Sequence, residues 1–185
     1  MANEIEAKIR VADFTSVIKA LGRAGAEFLG ETIETDQFFD TPGCALLQAD
    51  RGLRLRTTKL LKAGKDGRQC KSPPLLTYKG PRQRGKRVKI RREIQTVVAD
   101  AQAVVEILQA LGFRKSLVVR KRRRSFRMDR CRVELDQLKG VGCFVEVEGP
   151  TGRQVEAVCR KLNLPGERIT HTYASMMAQR QAKTK

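Results

Sequence analysis

The stretch EIEAKIR, residues 4–10, carries charged side chains at every second position. Glu4, Glu6 and Lys8 share one parity, and the positions between them are Ile or Ala. Because side chains on a β-strand alternate between its two faces, this spacing predicts a strand with one apolar and one ionic face. Glutamate oxygens bind divalent cations and lysine binds phosphate, so this ionic face has the residue types for metal-assisted phosphate chemistry.

The same alternation recurs in five further stretches: LRLRT (53–57), LTYKG (76–80), VKIRREIQ (88–95), CRVELD (131–136) and CFVEVE (143–148). One strand of this kind is what any half-solvated antiparallel sheet shows. Several of these strands, however, place like charges two residues apart on one face, and such charges repel unless a counter-charge or a ligand lies opposite. The stretch VVRKRRRSFR (118–127) is charged on both parities, so periodicity does not select its inward face.

These stretches belong to about eight predicted strands, and four other segments have apolar residues at helical spacing. The predicted strands cover residues 3–10, 31–39, 52–58, 75–80, 88–98, 116–128, 131–136 and 143–149. The predicted helices cover residues 13–28, 100–113, 151–164 and 170–183. Asp13, Asp100 and Thr151 are expected as N-caps, and Gly112 is expected to end the second helix. Residues 59–74 and 81–87 are predicted to form basic loops.

Four helices can cover the apolar faces of such a sheet from outside. An eight-stranded sheet covered in this way can close on itself and enclose its ionic faces in a polar lumen. The predicted fold is therefore α+β, mainly antiparallel β: a closed eight-stranded barrel with about four helices packed outside. The lumen would gather seven cations for a polyphosphate, namely Lys8, Arg54, Arg56, Lys79, Arg91, Lys121 and Arg123. It would also gather seven carboxylates for divalent cations, namely Glu4, Glu6, Glu93, Glu134, Asp136, Glu146 and Glu148.

Composition indicates one domain whose partners are polyanions. The chain has 185 residues, enough for a real core, with a net charge of +18 and a pI of about 10.3. It has no apolar run that could cross a bilayer, no signal-peptide pattern and no Cys-x-x-Cys pair among its five cysteines. We therefore expect a cytoplasmic protein with reduced thiols and no integral membrane segment. His171 is the only histidine, which nearly excludes a histidine-based metal site or a Ser–His triad.

Two basic motifs suggest other functions. GPRQRGK (80–86) has the glycine and lysine spacing of a P-loop, but Arg87 replaces the hydroxyl residue that binds Mg²⁺, and a predicted strand follows instead of a helix. We interpret it as a basic turn at the mouth of the lumen. RKRRR (120–124) is a candidate nucleic-acid patch, but the chain has 5% aromatic residues and no Trp for base stacking. Our hypothesis is that the basic outer surface binds RNA, polyphosphate or anionic membrane non-specifically.

In their order along the chain, these motifs resemble those of the CYTH superfamily, the triphosphate tunnel metalloenzymes. The N-terminal Glu4-x-Glu6-x-Lys8 is similar to the signature Glu-x-Glu-x-Lys of that family. Matching fragments follow in the family's order: TDQFFDTP, RGLRLR, TYKGP, VKIRREI, VRKRR, ELDQLKGVGCFVEVEG and the late Tyr173. The resemblance spans nearly the whole chain and is closest to the class IV adenylyl cyclase branch. It gives a single domain over residues 1–178, followed by a basic tail at 179–185.

The resemblance implies a tunnel enzyme that processes a triphosphate with Mg²⁺ or Mn²⁺. The metal-binding positions would be Glu4, Glu6, Glu146 and Glu148, with Glu93, Glu134 and Asp136 as further carboxylates. The triphosphate-binding positions would be Lys8, Arg54, Arg56, Lys79, Arg91, Lys121 and Arg123, which makes Lys121 and Arg123 the inward pair of their strand. The catalytic set would be Glu4, Glu6, Lys8, Glu146 and Glu148. The chain departs from the family at Gln95, where a second glutamate is common, and at Phe38, where Tyr is common.

We expect a class IV adenylyl cyclase-like activity, which converts ATP to cyclic AMP and pyrophosphate. A triphosphatase that hydrolyses inorganic triphosphate, thiamine triphosphate or nucleoside triphosphates is the alternative, because the tunnel residues serve both reactions. A second alternative is a binding module that holds polyphosphate or RNA without turnover. The motifs do not separate a monomer from a homodimer.

Overall fold

The computed structural model describes residues 3–64, 72–82, 89–164, 168–169 and 171–177, and for Asn3, Glu4, Lys89 and Ile90 it describes the backbone only. Several predicted features lie outside the described residues. They are Cys70, residues 83–87 of the second basic loop, residues 65–71 of the first, the predicted helix beyond residue 177, and the basic tail at 179–185.

Eight antiparallel strands pair side by side into a closed barrel. They are β1 (Asn3–Val11), β2 (Glu27–Asp40), β3 (Gly52–Ala63), β4 (Leu75–Arg82), β5 (Lys89–Val97), β6 (Arg114–Met128), β7 (Cys131–Leu138) and β8 (Gly142–Glu148). The order around the barrel is β1-β5-β4-β3-β2-β6-β7-β8, and β8 pairs with β1 to complete the ring. The predicted eight-stranded antiparallel barrel is confirmed.

The main apolar core lies outside the barrel wall. Ile9, Val133 and Val145 on β1, β7 and β8 are buried against α1 (Thr15–Arg23) and α4 (Gly152–Lys161). Since neighbouring residues of a strand point to opposite faces, the burial of these positions outside directs the ionic positions between them into the lumen. The sheet therefore closes because its apolar face has helices to cover it.

A second core lies under α3 (Ala101–Ala110), where Phe39 of β2 and Leu55 of β3 are buried. Asp100 caps α3, since its carboxylate accepts the N–H groups of Gln102 at 2.8 Å and Ala103 at 3.1 Å. Thr151 caps α4 in the same way. Both predicted caps are confirmed, and Gly112 follows the end of α3 with a φ of +86° as expected.

Several predicted boundaries are wrong, and the strand predicted from residue 31 begins at Glu27. The helix predicted over residues 13–28 ends at Arg23, because the chain turns at Gly25 with a φ of +66° and β2 then begins. Its N-cap is Phe14, while the Asp13 carboxylate accepts the Thr15 N–H at 2.7 Å. The loop predicted over residues 59–74 begins too early, since β3 continues to Ala63, and β4 continues to Arg82, past the predicted start of the second loop at residue 81.

A single helical turn that follows β2, α2 (Ala45–Gln48), has no counterpart among the predicted helices. Asp40 accepts the N–H groups of Leu46 and Leu47 and thereby holds this turn. No helix in the described part of the chain is long and apolar enough to cross a membrane.

Candidate active site

Strand register places the alternating ionic residues on the inner face of the barrel. Lys8 of β1 lies opposite Glu146 of β8, and Asp36 of β2 lies opposite Arg56 of β3. Directly paired residues of an antiparallel sheet share a face, so these charges all point into the lumen. The side chain of Asp136 has no exposed area and that of Lys121 is 2% exposed. Charges buried this deeply persist only when opposite charges or hydrogen bonds compensate them.

One ionic cluster joins β2, β3 and β6. Arg56 contacts Asp36 through two hydrogen bonds, with Nε–Oδ1 at 2.6 Å and Nη2–Oδ2 at 2.8 Å. Its Nη1 lies 2.8 Å from Glu34 Oε2, and Arg54 lies 3.6 Å from Asp36. Glu34 also approaches Lys121 on β6 at 3.2 Å. Bidentate pairing fixes the guanidinium of Arg56 in one orientation, which is the geometry that also binds phosphate oxygens.

A second ionic cluster joins β6, β7, β8 and β1. Asp136 accepts hydrogen bonds from Lys121 at 3.0 Å and from Arg123 Nε at 2.6 Å. Glu146 accepts a hydrogen bond from Arg123 Nη2 at 2.6 Å and lies 3.1 Å from Lys8 Nζ. The lumen is therefore lined by alternating positive and negative groups that neutralise one another before any ligand binds.

The lumen positions of β4 and β5 contribute two further predicted cations. Lys79 forms an ion pair with Glu93 on the neighbouring strand. Arg91 is 4% exposed, and its guanidinium donates to the backbone carbonyls of Asp50 at 2.9 Å and Gly80 at 2.8 Å. Arg91 lies on the inner face by its pairing with Glu4, and its hydrogen bonds also hold β5 to the backbone at Asp50 and Gly80.

Basic neighbours lower the pKa of two lumen carboxyls. Burial acts to raise the pKa of Glu34, but the charges of Arg123 and Lys121 outweigh it and lower that pKa to about 2. Burial acts in the same direction on Glu146, where Lys8 is the strongest opposing charge and the pKa falls well below its usual value. Both groups are therefore carboxylates at neutral pH.

Acidic residues collect where β1, β7 and β8 meet. Glu134 of β7 lies opposite Glu146 of β8, and Glu6 of β1 lies opposite Glu148 of β8, so each pair places two glutamates side by side on neighbouring strands. Burial raises the pKa of Glu134, and the charge of Arg123 opposes this only in part. Glu134 is thus a buried carboxyl whose charged form lacks sufficient positive charge around it.

The predicted metal ligands share the lumen without forming a complete coordination shell. Within the described residues, no group of three or more His, Cys, Asp and Glu side chains is arranged to hold a metal ion. The donor chemistry nevertheless fits a divalent cation, because the two cross-strand glutamate pairs offer hard oxygen ligands. The raised pKa of Glu134 marks a carboxylate that an added cation would stabilise.

Register brings the sequence-predicted site residues together on one inner surface. Glu4 lies opposite Arg91 by register, and its side chain lies outside the described part. Glu34, Asp36 and Tyr173 lie at the lumen but were not among the predicted site residues. Glu34 and Asp36 alternate in ETIETDQF in the same way as the residues that were selected, so their signal was available. Tyr173 has no periodic signal, because it reaches the lumen from a helical turn at 173–177.

The sequence matches the CYTH domain family over residues 2–173. A protein of Methanocaldococcus jannaschii named as a candidate adenylate cyclase is 28% identical over 145 residues, which is 78% of this chain and 75% of that protein. Adenylate cyclase CyaB of Aeromonas hydrophila is 27% identical over 187 residues, which covers 95% of this chain and 89% of that protein.

Solved structures share the fold. The PH1819 protein of Pyrococcus horikoshii superposes with a TM-score of 0.80 at 23% identity, covering 96% of this chain and 99% of that one. A Hippeastrum protein, described as a candidate adenylyl cyclase with dominant triphosphatase activity, superposes with a TM-score of 0.67 at 16% identity. That alignment covers 95% of each chain. At these identities the likeness supports the fold alone.

Proposed function

The chain belongs to the CYTH domain family, and from this premise we propose that it is a divalent-cation-dependent enzyme that acts on a triphosphate. The reaction we propose is that of the class IV adenylyl cyclases, which convert ATP to cyclic AMP and pyrophosphate. One observation carries the proposal: a closed barrel holds buried lysines and arginines on its inner face, and Lys8, Lys121 and Arg123 among them are paired to carboxylates. The two named cyclase relatives favour the cyclase reaction among those of the family.

The lumen cations are proposed to bind the triphosphate by exchanging partners. In the free protein Arg56 is held by Asp36, while Lys8 is held by Glu146. Phosphate oxygens offer the same acceptor geometry to these donors, and the side chains need little reorientation to reach them. Arg56 and Arg123 would contact phosphates through two N–H groups each, and Lys8 would contact them as a point charge.

Glu146, released by this exchange from Lys8, and the glutamates near it are proposed to hold the divalent cation. Glu134, Glu146, Glu6 and Glu148 are the described candidates, and Mg²⁺ or Mn²⁺ are the cations we propose. When bound, such a cation neutralises phosphate charge and lowers the pKa of a coordinated hydroxyl or water.

In the proposed cyclisation, the ribose 3′-oxygen forms a bond to the α-phosphorus. The bond from the α-phosphorus to the bridging oxygen of pyrophosphate breaks, and the 3′-hydroxyl proton is lost. Negative charge then accumulates on the departing pyrophosphate. Arg54, Arg56 and Lys121 would stabilise that charge from positions already fixed by their carboxylate partners.

A substrate panel tests the proposal. The purified protein is incubated with ATP, thiamine triphosphate or inorganic triphosphate, each with Mg²⁺ or Mn²⁺, and cyclic AMP, pyrophosphate and phosphate are measured. We expect cyclic AMP and pyrophosphate from ATP in equal amounts, with turnover abolished by a chelator. Absence of turnover with every triphosphate would overturn the enzyme assignment and favour a binding module.

A triphosphatase is the second candidate, and two observations favour it. The Hippeastrum protein that shares this fold is described as having dominant triphosphatase activity. In hydrolysis, a water oxygen forms a bond to the terminal phosphorus, the bond from that phosphorus to the bridging oxygen breaks, and the same tunnel groups would stabilise the departing diphosphate. In the same panel, this reaction would release inorganic phosphate without any cyclic AMP.

A further inference from the structure

The C-terminal segment is fastened across one end of the barrel. The Ile169 N–H donates to the Lys8 carbonyl at 2.8 Å, and Arg168 Nη2 lies 2.9 Å from Glu156 of α4. Thr172 caps the following helical turn, since its hydroxyl accepts the Ser175 N–H at 3.1 Å. These contacts hold residues 168–169 and 171–177 in place and fix where the turn places its first side chain, Tyr173.

The ring of Tyr173 contacts the charged ends of two lumen lysines. Lys8 Nζ lies 3.8 Å from the ring centroid and Lys121 Nζ lies 5.0 Å from it, both within the range of cation–π attraction. Phe144 supports the ring edge-to-face, with centroids 5.2 Å apart. One ring therefore contacts two ammonium groups from different strands, β1 and β6, which the lumen carboxylates also hold.

The hydroxyl of Tyr173 is buried beside lumen carboxylates. Tyr173 is 7% exposed, and its hydroxyl lacks a well-formed hydrogen bond within the described residues. Burial and the nearby carboxylates of Glu146 and Asp136 raise its pKa well above the usual value, so the hydroxyl keeps its proton and can donate it. Native proteins keep few buried hydroxyls without a good hydrogen bond, and a phosphate oxygen bound at Lys8 and Lys121 would offer this one an acceptor.

We propose that Tyr173 is a triphosphate-binding residue, whose hydroxyl donates to a phosphoryl oxygen while its ring positions Lys8 and Lys121 for the same group. This inference rests on the proposed function for the identity of the ligand. It extends the site from the barrel wall to the C-terminal segment. Removal of the hydroxyl alone and removal of the ring should therefore weaken binding to different degrees.

The chain allows a selective optical test, because it contains two tyrosines and no tryptophan. Tyr78 lies on the opposite parity of β4 from the lumen residues, paired with Leu53 and Ile94. In the Tyr78→Phe variant, tyrosine fluorescence reports Tyr173 alone. Inorganic tripolyphosphate is titrated into this variant, once in buffer that contains a chelator and once in buffer that contains Mg²⁺. We expect it to change the tyrosine emission with the same dissociation constant that calorimetry gives for tripolyphosphate binding.

Two variants separate the hydroxyl from the ring. Tyr173→Phe should weaken tripolyphosphate binding about five- to tenfold, the usual effect of one lost hydrogen bond. Tyr173→Leu should weaken it further, while Tyr78→Phe as the matched control should bind like the unsubstituted protein. Circular dichroism and thermal unfolding establish that each variant is folded before binding is compared.

The outcomes for Tyr173 and for the enzyme are distinguishable. Binding that is equal in Tyr173→Phe and the unsubstituted protein, with emission unchanged by tripolyphosphate, overturns the Tyr173 assignment even if turnover is found. Weakened binding and a ligand-dependent emission support it even if no triphosphate is turned over, in which case only the proposed reaction fails. A protein that binds no tripolyphosphate under either condition overturns both.

Discussion

Glu34 and Glu134 face the same lumen but differ in the balance of charge around them. Glu34 lies within ion-pair distance of Arg56 and Lys121, and the surrounding cations lower its pKa to about 2. Glu134 lies 3.9 Å from Arg123, and burial raises its pKa. A shift in pKa is a difference in stability between the two protonation states, so these residues contribute to folding with opposite sign at neutral pH.

Replacement of each glutamate by its neutral isostere should show this difference. Glu34→Gln should lower the free energy of unfolding at pH 7 by about 3 kcal/mol, because it removes a carboxylate that buried cations share and leaves their charge less compensated. Glu134→Gln should raise the melting temperature in metal-free buffer, because it removes a carboxylate that burial disfavours. Urea and thermal unfolding of both variants measure the two effects, and a loss of stability of the same size in both would contradict this account.

The lowered pKa of Glu34 also predicts a dependence of stability on pH. Its contribution is fully present above the unfolded pKa of 4.5 and is lost as the pH falls through that value towards the folded pKa of about 2. Unfolding free energy should therefore decrease from pH 5.5 to pH 3 in the unsubstituted protein. In Glu34→Gln this decrease should be smaller, and an identical pH profile in both proteins would rule out the assigned shift.

Glu146 connects the proposed phosphate-binding and metal-binding groups. Glu146→Gln keeps the shape of the side chain but removes the charge that would hold a divalent cation. We expect turnover to fall by about 10² or more, as when one charge-stabilising group of a site is removed, while tripolyphosphate binding persists. Glu106→Gln, on the exposed face of α3, is the matched control and should keep full activity. Unchanged turnover in Glu146→Gln would disprove the metal assignment.

At this scale, sequence identifies lumen residues only where parity is unambiguous. Arg54 and Arg56 alternate with Leu53 and Leu55, so their face follows from the pattern. Arg120, Arg122 and Arg124 alternate with Lys121 and Arg123, and no pattern separates the two sets. Register with β2 and β7 resolves this, because Lys121 lies opposite Glu34 and Arg123 opposite Asp136.

At the scale of elements, the sequence pattern predicted that each of the eight strands exists but did not predict where each one ends. The length of β3 is fixed by its partner β2, which continues the pairing to Gly30 opposite Ala63. Gly30 has a φ of +144° beside an irregularity in that pairing, a conformation that L side chains rarely adopt. Residues 59–63 look like a basic loop in the sequence, because their pairing partner lies almost 30 residues earlier.

The helix caps were predictable because they depend on neighbouring residues alone. Asp100→Ala should lower the free energy of unfolding by about 1 kcal/mol, because two N–H groups at the start of α3 lose their acceptor. Asp100→Ser keeps an acceptor at the cap and should retain most of the stability. Urea unfolding measures both variants, and equal losses for alanine and serine would show that the cap does not stabilise α3.

At the scale of the whole molecule, the excess positive charge lies outside the barrel lumen. The buried lumen lysines and arginines have carboxylate or carbonyl partners, so the net charge of +18 must come mainly from other positions. On the outer face of β2, β3 and β6, basic side chains surround Ile33 and Thr35 of β2. We call this surface the outer basic patch, and it comprises Lys59, Lys62, Arg120, Arg122 and Arg124.

Only one carboxylate is seen within ion-pair distance of the outer basic patch in the described residues. Glu31 contacts Arg122 and lies 3.7 Å from Arg124. A surface with this surplus attracts polyanions by releasing their counter-ions, and the attraction weakens steeply as salt is added. Since the chain has few aromatic residues, we expect contact with the phosphates of a polyanion rather than stacking on bases.

Charge reversal on the outer basic patch should therefore weaken polyanion binding more than the same reversal elsewhere. Lys59→Glu with Arg120→Glu should elute from heparin at lower salt and reduce the slope of log K against log salt for duplex DNA by about 2, since two phosphate contacts are lost. Lys19→Glu with Arg23→Glu on α1 changes the net charge equally and controls for it. If both pairs shift elution equally, net charge alone explains retention. If the unsubstituted protein is not retained on heparin at low salt, the outer basic patch does not bind polyanions.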